Sequence, residues 1–240
     1  MMSRFLKHWR TRRLLHRART LVPSIMQRSY GLPQISLDDL LSGDVDISEP
    51  ILEDVCMPRL FGQQGHDDLT PMLKIVRSRQ PKVVVELGTA HGTTTANICR
   101  QAPEARVFTV NSLPSEQTGK LTTFELGAED IGRVYRNRGY GDRVVQIFCN
   151  TLDLDLGRYL DGKKVGLAII DACHDVEYVC NDFHKVLPFL DSGAIVLLHD
   201  THPSMEDHLR GSYVACMKLR RANFDVKHLA GTWWAIYEHP

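Results

Sequence analysis

The 240-residue chain predicts an α/β fold of the Rossmann-like, doubly wound kind: three α/β/α layers around a mostly parallel sheet with a C-terminal antiparallel strand. Three observations carry this. Short apolar runs alternate with helix-length segments from Leu69 onward. The first run, Val83-Val-Val-Glu-Leu87, passes through a two-glycine turn into Thr93-Thr94-Thr95, which opens a helix. The last segments, residues 224–229 and 232–237, flank Gly231 as a closing hairpin that adds an antiparallel edge strand.

In chain order, residues 69–79 read as a helix, with Thr70-Pro71 near its start because proline is tolerated in a first turn. Residues 83–87 form a strand buried on both faces. Residues 93–101 read as a helix, 106–110 as the second strand and 126–138 as a helix. Strands follow at 143–148, 165–170 and 194–198, with helices at 176–190 and 206–221. The chain divides into a basic arm (residues 1–30), a cap or lid (31–66) rich in turn-formers, and the main domain (67–240).

Lys+Arg and Asp+Glu are equal at 29 each, so charge points to no nucleic-acid partner, and the basic stretch 133–143 reads as a solvated loop. The balance is uneven along the chain. Residues 1–30 hold eight basic residues and no acid, leaving 21 basic against 29 acidic residues in the remainder. Within the arm, Leu14, Leu15, Ala18, Leu21 and Val22 share one helical face that Pro23 ends, while Phe5, Leu6 and Trp9 project opposite. A peripheral membrane or acidic-protein contact, a mitochondrial presequence and a solvated or subunit-packing arm all fit this pattern. Six cysteines without C-x-x-C or disulfide spacing suit a reducing, cytoplasmic setting, and no run of about 18 apolar residues spans a membrane.

The chemistry gathers at strand ends, where ligands of such sheets bind. Glu86-Leu87-Gly88-Thr89-Ala90-His91-Gly92 ends the first strand. Its glycines permit close backbone approach, and the helix opening at Thr93 offers free N–H groups. A dinucleotide loop would space its glycines G-x-G-x-x-G. Here the spacing is G-x-x-x-G after an acid, which suits an amine-bearing ligand. The second strand ends at Asn111, where a ribose-binding acid commonly stands. Two further strands end in acids, Asp171 and Asp200, with His174, His199 and His202 close by. Such carboxylates can share a divalent cation, or a histidine can take a hydroxyl proton near neutral pH. Helix capping by the two acids is the plainer alternative. Of Trp233 and Trp234, at most one can face a pocket from a strand.

On these residues the chain resembles a class I S-adenosylmethionine-dependent methyltransferase, in the methyltransferase-24 branch of small-molecule O-methyltransferases. The resemblance rests on Glu86-x-Gly88-x-x-x-Gly92, on Phe108-Thr-Val-Asn-Ser-Leu-Pro114, on Asp171-Ala-Cys-His174 with Glu177, Val179, Asp182 and Phe183, and on Val196-Leu-Leu-His-Asp-Thr201. It spans residues 69–237. It departs from the family at Asn111, which is usually Asp, at Ala172-Cys173, usually Gly-Asp, and at Ser192-Gly193-Ala194, usually Pro-Gly-Gly.

The resemblance implies a seven-stranded sheet and S-adenosyl-L-methionine held by Glu86, Gly88, Thr89, Ala90, Gly92, Thr93, Asn111 and Asp171. It implies Mg²⁺ on Asp171 and Asp200, and methylation of a hydroxyl on a sugar or other small metabolite. His174 is the expected base, oriented by Asp171, with His199 and Asp200 in support. A homo-oligomer is compatible with the pattern. An NAD-dependent oxidoreductase and a non-catalytic binding protein on the same fold are the competing expectations.

Overall fold

A computed structural model describes residues 31–41, 43–53, 68–113, 126–202 and 210–240. The basic arm, residue 42 and residues 54–67, 114–125 and 203–209 lie outside this description, so the expectations for the arm stay as stated. No described helix is long and apolar enough to cross a membrane.

Eight strands form one sheet: β1 (Gln34–Ile35), β2 (Val83–Leu87), β3 (Arg106–Asn111), β4 (Val144–Phe148), β5 (Val165–Ile170), β6 (Leu190–Leu198), β7 (Lys227–Leu229) and β8 (Ala235–Glu238). The described helices are α1 (Leu37–Leu40), α2 (Leu69–Arg79), α3 (Thr93–Gln101), α4 (Arg133–Asn137), α5 (Gly157–Leu160), α6 (Val176–Val186) and α7 (Arg210–Arg221). Across the sheet the order is β1-β7-β8-β6-β5-β2-β3-β4.

Only β8 runs antiparallel, and it pairs with both β6 and β7. The antiparallel strand is therefore interior rather than an edge, because β7 closes its free side and β1 pairs parallel to β7 outside it. That two-residue β1 makes the sheet eight-stranded instead of seven. It comes from the segment expected as a cap. The described part of that segment packs along the sheet edge and α3, with Ser48 and Ile51 hydrogen-bonded to the buried side chains of Gln101 and Asn97.

The sheet strands alternate their side chains between two cores. Val83, Val85 and Leu87 of β2 join Val110, Ala168, Ile170, Val196 and Leu198 under α6 and α7. Val84 faces the other side with Val107, Leu167, Ile169, Ile195 and Leu197 under α2 and α3. Phe183 of α6 is fully buried and meets Phe224 and Tyr237 edge to face, at 4.9 and 5.2 Å between ring centroids.

The helix expected over 126–138 is reduced to Arg133–Asn137. Gly132 sits at φ 73° and sends its N–H to the Ala90 carbonyl at 2.8 Å, so the chain turns toward the β2 loop instead of continuing a helix. The expected 176–190 helix ends at Val186, followed by a 3₁₀ turn over Leu187–Phe189 that carries Pro188.

The basic stretch 133–143 is not simply solvated. Arg136 donates to the Ile131 and Glu129 carbonyls, and Arg138 pairs with Glu53. Arg143 donates to the Cys99, Ala102 and Pro103 carbonyls, covering the end of α3.

Candidate active site

The chain builds outward from β2 to β3 and β4, then returns to add β5 and β6 on the other side of β2. The loops after β2 and β5 therefore meet where the winding reverses, the place where such sheets bind ligands. Contact between them is close. Gly88, at φ 110°, has no Cβ, and one built there would lie 2.0 Å from the Asp171 carbonyl oxygen. Only glycine allows both the conformation and the approach.

The glycine loop is held from several sides. The N–H groups of Gly88 and Thr89 donate to the Val110 carbonyl, at 2.9 and 3.1 Å. Ala90, at φ 44°, donates its N–H to Asn111 Oδ1 at 3.1 Å, and Asn111 Nδ2 donates to the Ser112 carbonyl at 2.9 Å. The residue standing where a ribose-binding acid was expected thus braces the loop. Gly92, at φ 82°, caps α3 and leaves no room for a Cβ, since Tyr135 and Gly132 would lie 2.7 and 2.8 Å away. Thr93 Oγ1 donates to the Glu53 carbonyl at 2.5 Å.

Glu86 is fully buried beneath this loop. Its Oε2 accepts the hydroxyls of Thr95 and Thr109, the latter at 2.5 Å. With Thr109 donating to the carboxylate, the chain of donors runs one way. Tyr135 OH donates to Gln146 Oε1 (3.1 Å), Gln146 Nε2 to Thr89 Oγ1 (3.0 Å), and Thr89 to Thr109 Oγ1 (2.7 Å). Glu86 Oε1 has no partner among the described residues. Burial pushes its pKa up to about 7, against the pull of the two threonine hydroxyls. Neither Gln146 nor Tyr135 belongs to a sequence motif, and nothing in their local pattern marks them.

On the other side of the reversal, Asp171, His174 and Asp200 each bring one ligating atom within 4.8 Å of the others. The expected orienting partner of His174 is corrected. Its Nε2 lies 2.7 Å from Asp200 Oδ2 and 4.0 Å from Asp171 Oδ1. The reason is backbone geometry: Asp200 takes the left-handed conformation, φ 54°, at the end of β6, and its side chain is only 10% exposed. Burial works against a charged His174 ring, but Asp200 and Asp171 outweigh it and the pKa rises.

His199 Nδ1 lies 3.3 Å from Asp171 Oδ1 and 3.5 Å from Asp200 Oδ1. Its Nε2 lies 3.4 Å from Asp68 Oδ2. Burial again opposes the charge, and the facing carboxylates raise the pKa well above the ordinary value. His202 is not in this group, its ring lying 5.6 Å from that of His228. Glu177 is exposed on the first turn of α6, while the buried Asp182 lies beside Asn181, which reaches the Thr151 carbonyl.

Helix capping does not explain Asp171. Asp175, not Asp171, precedes α6, and it makes no side-chain cap bond. Two carboxylates and an imidazole at this spacing fit a divalent cation with water completing the shell, so His174 joins Asp171 and Asp200 in the candidate ligand set. Trp234 is buried, its indole N–H bonded to the Asp68 carbonyl, and only Trp233 remains partly open.

Two further residues of this site escaped motif reading. Asp68 is one. Gly211, at the start of α7, is the other: a Cβ built there would lie 2.0 Å from the His174 carbonyl oxygen. A glycine thus sits against each end of the 171–174 run. An acid directly before a helix is a readable signal, but it points to capping rather than to a site 131 residues away.

Comparison with known proteins bears directly on this geometry. The methyltransferase-24 family, described as a methyltransferase domain, matches residues 85–201, from the middle of β2 to just past Asp200. This segment is similar to the methyltransferase-24 family. A probable O-methyltransferase of Mycobacterium tuberculosis is 31% identical over 141 residues, 55% of each chain, so the match spans about half the length of that relative. The O-methyltransferase TomG of Streptomyces achromogenes, solved in complex with SAM, superposes with a TM-score of 0.54 at 18% identity over 81% of this chain and 92% of its own. The SAH-bound methyltransferase PaMTH1 of Podospora anserina gives 0.52 at 17% identity over 70% and 75%. At these identities the solved structures show the fold alone, a Rossmann-like α/β sheet.

Proposed function

We propose that this protein is an O-methyltransferase that carries a methyl group from S-adenosylmethionine to a hydroxyl of a sugar or other small metabolite. The observation that carries the reading is the junction at the winding reversal. There the Gly88 loop presses on the Asp171 backbone, and the carboxylate–histidine group of Asp171, His174 and Asp200 stands beside it. S-adenosylmethionine brings a methyl group already activated by its sulfonium, and becomes a thioether when that group leaves.

The protein's work is then alignment and proton removal. The glycine loop, braced by Asn111 and by the Glu86 network, positions the cofactor's methionine end. His174 takes the hydroxyl proton as the oxygen–carbon bond forms, and Asp200 at 2.7 Å stabilises the resulting imidazolium. His199 faces the same carboxylates and limits their mutual repulsion. A divalent cation such as Mg²⁺, held by Asp171 and Asp200 with His174, would favour the alkoxide of the acceptor. In that case proton removal would fall to a group outside the metal shell.

The test separates these roles. His174→Ala should retain S-adenosylhomocysteine affinity and lose ~10²–10⁴-fold in turnover, the usual worth of a positioned base. Unchanged turnover would remove His174 from the mechanism. Parallel assays with Mg²⁺ and with a chelator then assign the cation: equal rates in both would remove it from the reaction.

A further inference from the structure

Asp68 directly precedes α2, the position where an aspartate ordinarily caps its own helix. It does not do so: its side chain makes no cap hydrogen bond. The carboxylate turns instead toward the end of β6 and the closing hairpin. Oδ1 accepts the Trp233 backbone N–H at 2.6 Å, and Oδ2 faces His199 Nε2 at 3.4 Å. The Asp68 carbonyl accepts the Trp234 indole N–H at 2.8 Å. The side chain is 12% exposed, so these are its main surroundings and not bulk water.

The His199 ring is consequently fixed on three sides. Asp68 holds one nitrogen, and Asp171 with Asp200 faces the other at 3.3 and 3.5 Å. Trp234 covers a face, with ring centroids 4.2 Å apart. Trp234 is itself pinned by Asp68, so one residue supplies the in-plane contact at Nε2 and holds the ring that covers the face. An imidazole with carboxylates at both nitrogens has its orientation set by whichever partner it cannot lose. Asp68 is that partner, because its backbone and side chain are both tied to the 233–234 turn.

We propose that Asp68 is a positioning residue: it acts through His199, aiming Nδ1 at Asp171 and so fixing the Asp171 carboxylate on the acceptor side of the site. The catalytic consequence rests on the methyltransferase reading; the positioning itself does not. Asparagine at position 68 is nearly isosteric and keeps an oxygen for the Trp233 N–H. It presents an N–H₂ to His199 Nε2, however, replacing an acceptor by a donor. Glutamate keeps the acceptor at longer reach.

The experiment uses the full chain labelled with ¹⁵N-histidine at fixed neutral pH, with His199 assigned by its own substitution to Gln. Asp68→Asn should shift the His199 ring nitrogens, Nε2 most, and leave those of His184 and His228 in place. Asp68→Glu should return His199 toward its native signals. Calorimetric affinity for S-adenosylhomocysteine should stay within about twofold in both variants. Unchanged His199 signals in Asp68→Asn would overturn the proposal. So would displacement of all histidine signals together with a collapse in Tm, which marks a merely structural residue. If His199 alone moves but the unsubstituted protein binds no S-adenosylhomocysteine, the positioning stands and the methyltransferase reading fails.

Discussion

At the scale of single residues, two buried carboxylates make the fold sensitive to pH. Burial raises Glu86 from 4.5 to about 7, and raises Asp182 from 3.8 to about 6 despite Thr151 and Asn181. Both carboxyls are protonated in the folded and unfolded chains below the ordinary values. As pH rises, the unfolded chain releases its protons first, so their contribution to stability falls, from about 4 through 7, and is lost above the folded pKa. Urea unfolding at pH 5 and pH 8 should show a smaller difference for Asp182→Asn than for the unsubstituted protein. An unaltered difference would mean that Asp182 is not held in this environment. Asn111 offers a second test at this scale. Asn111→Asp keeps an acceptor for the Ala90 N–H, loses the donor to the Ser112 carbonyl, and should cost about 1 kcal/mol in unfolding free energy.

Elements matter through the places where they touch without side chains. Gly88 against the Asp171 carbonyl and Gly211 against the His174 carbonyl let β2 and α7 clamp the same short run. Gly211→Ala forces backbone apart from backbone, so α7 or the His174 segment must shift by about an ångström to restore ordinary contact. Misplacements of that size can cost ~10²-fold in rate. We expect Gly211→Ala to fold, bind S-adenosylhomocysteine with near-native affinity and lose turnover; native turnover would show that α7 yields instead.

The same contacts mark how far the sequence could be read. Apolar runs and capping chemistry placed α2, β2, α3 and β5 at their observed bounds. Strand-end acids and histidines were legible as a group. Their partners were not: the choice of Asp200 for His174, of Asp68 for His199, and of Gly211 as a neighbour all depend on contacts between distant segments. The 126–138 helix failed for the same reason, because Gly132 spends its N–H on Ala90. A two-residue strand such as β1 carries no period to detect.

Over the whole molecule, one sheet reverses its winding between β2 and β5, and the Gly88 loop, Asp171, His174, His199 and Asp200 are assembled along the carboxyl ends beside that reversal. The methyltransferase-24 match over residues 85–201 covers this assembly and leaves the closing hairpin outside it. Yet Trp233 and Trp234 of that hairpin reach back to Asp68, so the candidate site extends beyond the matched segment at both ends. The central claim is that the Gly88 loop holds S-adenosylmethionine. Its most direct test is a thermal-unfolding titration of the full chain with S-adenosylhomocysteine, with NAD as the control ligand. At 100 times its Kd a ligand of the native state adds about 2.7 kcal/mol. The account predicts stabilisation of that order by S-adenosylhomocysteine and none by NAD; stabilisation by NAD alone, or by neither, would contradict it.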